Sequence, residues 1–209
     1  TAFRLLEEME LYGLPNILGA FTAAASACRE AGEWQEAIAL LGRARAQGVL
    51  CDRFLYMHVV DACAEAGKHE EAMQTYAQGV EAGALVHWRE DEPFSIDVHG
   101  FSQHSAVCAV RYALRHEIGN FMSADLKIIT GLGRHSTDGA PLLLPRIERL
   151  LTDEFQLRYE YDAKLVCNER DCKTFVNMGC LVVQLQELFR FLSETKPFET
   201  YVVTLPEEV

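Results

Sequence analysis

Positive charge is what this chain has least of. Its 209 residues carry 19 Lys and Arg against 31 Asp and Glu, a formal net charge of -12. A surface that acidic cannot hold a polyanion by bulk attraction, so any nucleic-acid role must rest on a local site. No apolar run approaches the ~20 residues of a membrane helix, so no membrane insertion is expected. Gly (14) and Pro (6) are in no excess, which excludes collagen-like and disordered chains. Paired C-x2-C knuckles are missing too. The seven Cys are odd in number and scattered. Cys28, Cys63 and Cys108 fall inside apolar helical patterns, as buried thiols of a reducing compartment do. Cys167, Cys172 and Cys180 lack the spacing of a zinc site. The chain also lacks a starting Met. It begins at Thr1 within a helical pattern and reads as a fragment, with any targeting peptide upstream.

What is present is an ordinary globular composition, 49% hydrophobic and 24% charged, enough for one good core or two modest ones. The first part repeats itself at an interval of 35 residues. Ala27-Cys28-Arg29-Glu30-Ala31-Gly32 falls on Ala62-Cys63-Ala64-Glu65-Ala66-Gly67, and Gly13, Gly48 and Gly83 are evenly spaced. Such a period signals a solenoid of helix-turn-helix units. Phe21, Ala24, Ala25 and Cys28 form one apolar stripe, and Trp34, Ala37, Ile38 and Leu41 form the next. Phe54, Met57, Val60 and Ala64, then Ala72, Met73 and Tyr76, are expected to do the same one repeat later. Gly32, Gly48, Gly67 and Gly83 are expected to end the helices.

These residues resemble the pentatricopeptide repeat family, in length and in the block from Phe21 to Gly32 with Glu36-Ala37 and Gly48. The resemblance implies a groove for single-stranded RNA, one base per repeat. It implies Thr22 and Asp52 as one base-reading pair, associated with guanine, whose adjacent donors a carboxylate can accept. Asp52 is equally suited to cap a helix beginning near Arg53. The next pair, Met57 and His87, matches no recognised code. Two and a half repeats are too few to specify a sequence, and more are expected before Thr1.

The acidic stretch Arg89-Glu90-Asp91-Glu92-Pro93 reads as a linker, dividing a repeat segment (1–88) from a second domain (94–209). Phe94–His99 alternates like a strand, and Ser102 caps a helix that stops near Gly119. Leu126–Thr130 is a second strand, followed by a Gly-rich turn. A helix starts near Leu144 with Pro145 in its first turn. Leu157–Tyr161 and a stretch ending Cys180–Val183 read as strands around a hairpin, with the charge-rich segment 163–173 as a local elaboration. A helix over Leu185–Leu192 and an edge strand over Tyr201–Leu205 complete the pattern. The expected architecture is an α-helical solenoid followed by an α/β two-layer sandwich.

Two segments here, Ile96-Asp97-Val98-His99-Gly100 and Thr130-Gly131-Leu132-Gly133-Arg134-His135-Ser136, resemble the signatures of the small MutS-related (Smr) domain. Pentatricopeptide repeats followed by an Smr domain form a known combination. Ile96, Leu132 and Gln184 depart from the usual pattern without removing a reactive group.

Asp97 and His99 lie on one face of a strand, near its carboxyl end, where α/β sites form. Side by side they can act as base and acid or hold a divalent cation such as Mg2+, Asp97 being the candidate ligand. Thr130, Gly131, Gly133, Arg134 and Ser136 are the expected phosphate cradle, with backbone N–H groups at the glycines and charge at Arg134. His135 joins the candidate catalytic set. The resemblance implies an organellar RNA-binding protein, of plastid or mitochondrion, whose Smr domain cleaves RNA. Two rivals stand beside it: an accessory subunit binding protein partners in an organellar assembly, and a DNA-nicking domain. Residues 1–90 carry 7 basic and 13 acidic side chains and residues 91–209 carry 12 and 18, so neither half is a basic platform.

Overall fold

The computed structural model describes residues 8, 11–12, 18–120, 124–132, 141–168 and 171–195, without the side chains of 120, 164–168 and 171–176. The chain divides into two compact units, Thr1–Val86 and His87–Val209.

The first unit is helical. Four helices are described: α1 (Leu18–Ala31), α2 (Trp34–Ala46), α3 (Arg53–Glu65) and α4 (His69–Glu81). α1 and α3 begin 35 residues apart, as do α2 and α4, so the period read in the sequence is a period of backbone. All four helices end the same way. Gly32, Gly48, Gly67 and Gly83 have φ of +74°, +72°, +73° and +68°, a conformation that costs glycine little. The N–H after each glycine then turns back to a carbonyl five residues earlier, Glu33 to Cys28 (2.9 Å) and Lys68 to Cys63 (2.8 Å) among them.

Phe21, Ala24, Ala25 and Cys28 are buried as expected. On α3 the expected stripe holds in part. Val60 and Ala64 are buried, but Met57 is only half-buried and Phe54 is half exposed under the Arg53 guanidinium, while Leu55, Tyr56, Val59 and Cys63 are buried as well. The reason is that α3 packs on α1, α2 and α4, which takes a broader face than one stripe. Burial pushes the Cys63 thiol up to about 11, so it stays protonated at neutral pH.

The second unit combines a four-stranded mixed sheet with helices. Its strands are β1 (Ser95–Asp97), β2 (Leu126–Ile129), β3 (Glu160–Asn168) and β4 (Asp171–Val183), in the order β1-β2-β4-β3. β1 and β2 are parallel, with Asp97 beside Ile129; β4 is antiparallel to both β2 and β3. The expected hairpin is present as β3–β4, and its strands run further than expected: 163–168 and 171–173, read as a local elaboration, are paired strand, with Cys167 opposite Cys172. Helices α5 (Gln103–Tyr112), α6 (Leu144–Arg149) and α7 (Leu185–Thr195) complete the described part. Ser102 caps α5 through Ser105 N–H at 3.2 Å, and Pro145 opens α6. α5 continues into a π-turn, Ala113–Glu117. The expected strand at Tyr201–Leu205 lies outside the described residues.

The expected linker is not a free one. His87 and Arg89 pair antiparallel with β1: Asp97 N–H donates to His87 O (2.8 Å) and Arg89 N–H to Ser95 O (2.9 Å). Phe94 turns this hairpin with a φ of 56° and stacks on Trp88. Two of the three acidic residues of this stretch have ion-pair partners. Glu92 accepts from Lys127 Nζ at 2.6 Å, and Asp91 pairs with Arg89.

Candidate functional site

The parallel pair β1–β2 ends at one edge of the sheet, and the first signature sits there. Val98 N–H continues the ladder to Ile129 O (2.9 Å), which fixes Asp97 and His99 at the carboxyl end of the strand. Asp97 Oδ1 accepts twice from His99, from its backbone N–H at 3.1 Å and from Nδ1 at 2.5 Å. An ionised carboxylate only accepts, so Nδ1 carries the proton, and in the neutral imidazole the lone pair is then on Nε2. The Asp97 side chain is 19% exposed and that of His99 is 66% exposed. The carboxylate is therefore sheltered and the imidazole faces solvent. The other carboxylate oxygen of Asp97, Oδ2, lies 3.7 Å from Arg89 Nη1.

The second signature begins against the first. Gly131 has φ +76°, and a Cβ placed there would lie 3.3 Å from His99 Cβ. Thr130 and Gly131 have a different task from the expected one. Thr130 is buried. Its N–H (2.9 Å), its hydroxyl (3.3 Å) and the Gly131 N–H (3.1 Å) all donate to Gly179 O. Donors engaged by a carbonyl are not presented to a phosphate, so these two residues anchor the turn to β4. Gly133, Arg134, His135 and Ser136 lie outside the described residues.

Gly179 is the residue that the sequence reading passed over. A Cβ there would meet Gly131 C at 2.8 Å and Leu132 N at 3.1 Å, because the turn crosses directly over the strand. Asn177 Oδ1 in turn accepts from Gly179 N–H at 3.1 Å. The available signal was a glycine interrupting an apolar strand, which marks close approach of another backbone.

Divalent-metal chemistry finds little support in these donors. Asp97 has one oxygen bonded to His99 and the other facing a guanidinium. Among the described residues no group of three or more His, Cys, Asp or Glu comes together to hold a metal ion. The described residues do not form a cation site here.

In the first unit, Thr22 donates its hydroxyl to Leu18 O at 3.0 Å, one turn back on α1. Asp52 caps α3, its Oδ1 accepting from Leu55 N–H at 2.9 Å. The capping role is therefore observed; it engages one oxygen of the carboxylate. His87 belongs to the second unit and is 2% exposed, with Nε2 2.7 Å from Glu117 Oε2, so it is not placed to read a base.

No family model and no curated protein matches this chain. The functional reading rests on the motifs and on the geometry above.

Proposed function

We propose that the chain is an RNA-binding protein of the pentatricopeptide repeat–Smr type, its helical repeats forming a short solenoid that takes single-stranded RNA and its second unit acting on the phosphodiester backbone. The observation that carries this reading is the Asp97–His99 pair beside the Gly131 turn. The His99 side chain is exposed, and the sheltered carboxylate on Nδ1–H leaves Nε2 as the nitrogen that accepts a proton when the ring is neutral. Such a group takes the proton from an attacking oxygen as the new P–O bond forms, and returns it to the leaving ribose oxygen as the old one breaks. Asp97 orients the imidazole and stabilises its charged form, as an acid–base–orienter constellation requires. Arg134 and His135, by resemblance, supply positive charge to the phosphate. The plastid or mitochondrion is the compartment that the resemblance implies.

The test is cleavage of a guanine-containing single-stranded RNA by the purified chain, with Asp97→Asn and His99→Gln as variants. Both are expected to keep their circular dichroism and to lose roughly 100-fold or more in rate. Equal cleavage by Asp97→Asn sinks the assignment.

A second reading, a protein-binding accessory subunit, is favoured by the acidity of both halves and by the engaged donors of Thr130 and Gly131. A filter-binding series across salt separates the two. Absence of RNA binding even at low salt leaves the accessory role.

A further inference from the structure

The stretch 89–93 was expected to be a spacer, and it instead delivers a cation to the site. Arg89 is carried there by the hairpin that pairs His87 and Arg89 with β1. Its guanidinium is hydrogen-bonded to one carboxylate and lies beside a second. Nε donates to Asp91 Oδ1 at 2.8 Å, and Nη1 lies 3.7 Å from Asp97 Oδ2. Asp97 therefore has a hydrogen-bond partner on Oδ1, His99, and a positive charge beside Oδ2 at ion-pair distance.

We infer that Arg89 is a positioning residue for His99, acting through Asp97. A carboxylate with a free Oδ2 can rotate and present either oxygen, or turn toward a cation from solution. With the guanidinium beside Oδ2, Oδ1 stays on the imidazole Nδ1–H, and the lone pair stays on Nε2. The same charge makes Asp97 a poor ligand for a divalent cation, which accounts for the mismatch between the donor set and a metal site. Asp91 has the complementary task. It holds the guanidinium from the solvent side and keeps it from swinging away, since a lone exposed Arg side chain loses much conformational freedom when fixed. The inference rests on His99 being the reactive group of the proposed reaction, but its first readout does not need cleavage.

The experiment uses the full chain with 15N-labelled histidine, at a pH where the imidazole is neutral. The His99 signal is assigned by its loss in His99→Gln. In the wild-type chain His99 is expected as the single Nδ1–H tautomer. Arg89→Ala is expected to bring up the Nε2–H tautomer to a comparable share, and to broaden the His99 signal when Mn2+ is added, because Asp97 becomes open to the ion. Arg89→Lys, which keeps a cation, restores the wild-type pattern. Where cleavage is measured, Arg89→Ala lowers kcat by about tenfold with KM unchanged, the loss typical of removing a group that orients a reactive side chain. An unchanged tautomer and no Mn2+ response in Arg89→Ala overturn the inference. So does an Arg89→Lys that behaves like Arg89→Ala. If the wild-type chain cuts no RNA, the proposed reaction fails, while the tautomer result still upholds or overturns the role of Arg89.

Discussion

Gly179→Ala adds one methyl group at the point where the Gly131 turn crosses β4, and its effect follows from three distances. The new carbon would lie 2.8 Å from Gly131 C, 3.1 Å from Gly131 O and 3.1 Å from Leu132 N. Ordinary carbon–carbon contact needs about 3.5 Å, so the shortest approach falls roughly 0.7 Å short. All three atoms are backbone, so no side chain can swing aside; the turn itself must lift. Overpacking of this kind costs about 1–3 kcal/mol. Lifting the turn also stretches the Thr130 and Gly131 N–H bonds to Gly179 O, and losing one of them adds about 1 kcal/mol. The expected loss is roughly 2–4 kcal/mol in the second unit. Two measurements check it. Denaturant unfolding followed by Trp88 fluorescence, in a Trp34→Phe background, reads the second unit. Amide exchange at Thr130 and Gly131 reads the turn and is expected to accelerate. Gly32→Ala is the control. Its φ of +74° is unfavourable for alanine, yet nothing lies within 4 Å of the added carbon, so it costs about 1 kcal/mol and leaves the Thr130 amide alone. If Gly179→Ala unfolds at the wild-type midpoint with both amides still protected, the crossing is not what requires glycine.

Other outcomes follow from the same geometry. Asp52→Ala removes the cap on Leu55 N–H and is expected to cost about 1 kcal/mol; Asp52→Asn keeps the cap, so a loss of guanine-dependent binding in Asp52→Asn alone separates base reading from capping. Glu117 accepts from Trp88 Nε1 at 2.8 Å and meets His87 Nε2 at 2.7 Å. Burial pushes the Glu117 carboxyl up, but His87 and Trp88 outweigh it and hold the group below its ordinary 4.5. Its stabilising contribution is thus complete above that value and is lost as pH falls through the lowered one. Glu117→Gln is expected to be about 1–2 kcal/mol less stable at neutral pH and to lose less on acidification, as denaturant midpoints across pH will show. Arg158 and Arg190 hold the Glu187 carboxyl down, to about 2 from its ordinary 4.5. A 13C titration of that carboxyl should find it charged throughout the range in between, and Arg158→Ala and Arg190→Ala should each raise its midpoint.

The parts of the fold legible in the sequence are those set by local backbone chemistry. Gly32, Gly48, Gly67 and Gly83 end helices because only glycine adopts their φ cheaply, and the helices between them follow. Ser102, Asp52 and Pro145 mark helix starts for equally local reasons. The adjacency of Asp97 and His99 is legible because strand periodicity is two. What escaped depends on neighbours distant in sequence. Phe54 is exposed because α3 faces three helices at once. The run 89–93 looked like a spacer because its charges are solvated in isolation; Lys127 and Asp97, which engage them, are not adjacent in sequence. Thr130 and Gly131 looked free to hold a phosphate because the carbonyl that engages them, Gly179 O, lies 49 residues beyond Thr130.

The glycine-terminated helices of the first unit bear on how such a chain can grow. Each helix carries its own stop signal, and each stop is completed by bonds within six residues of chain. A segment such as 49–83 is therefore a self-contained cassette: it ends one glycine-capped pair and leaves the next with an intact start. Duplicating or deleting it in whole units asks for no new capping chemistry, whereas a break inside a helix that is not matched one period on leaves that helix without its terminator. Recombination at glycine-bounded joints would then change the length of the array far more readily than point substitution could change its fold.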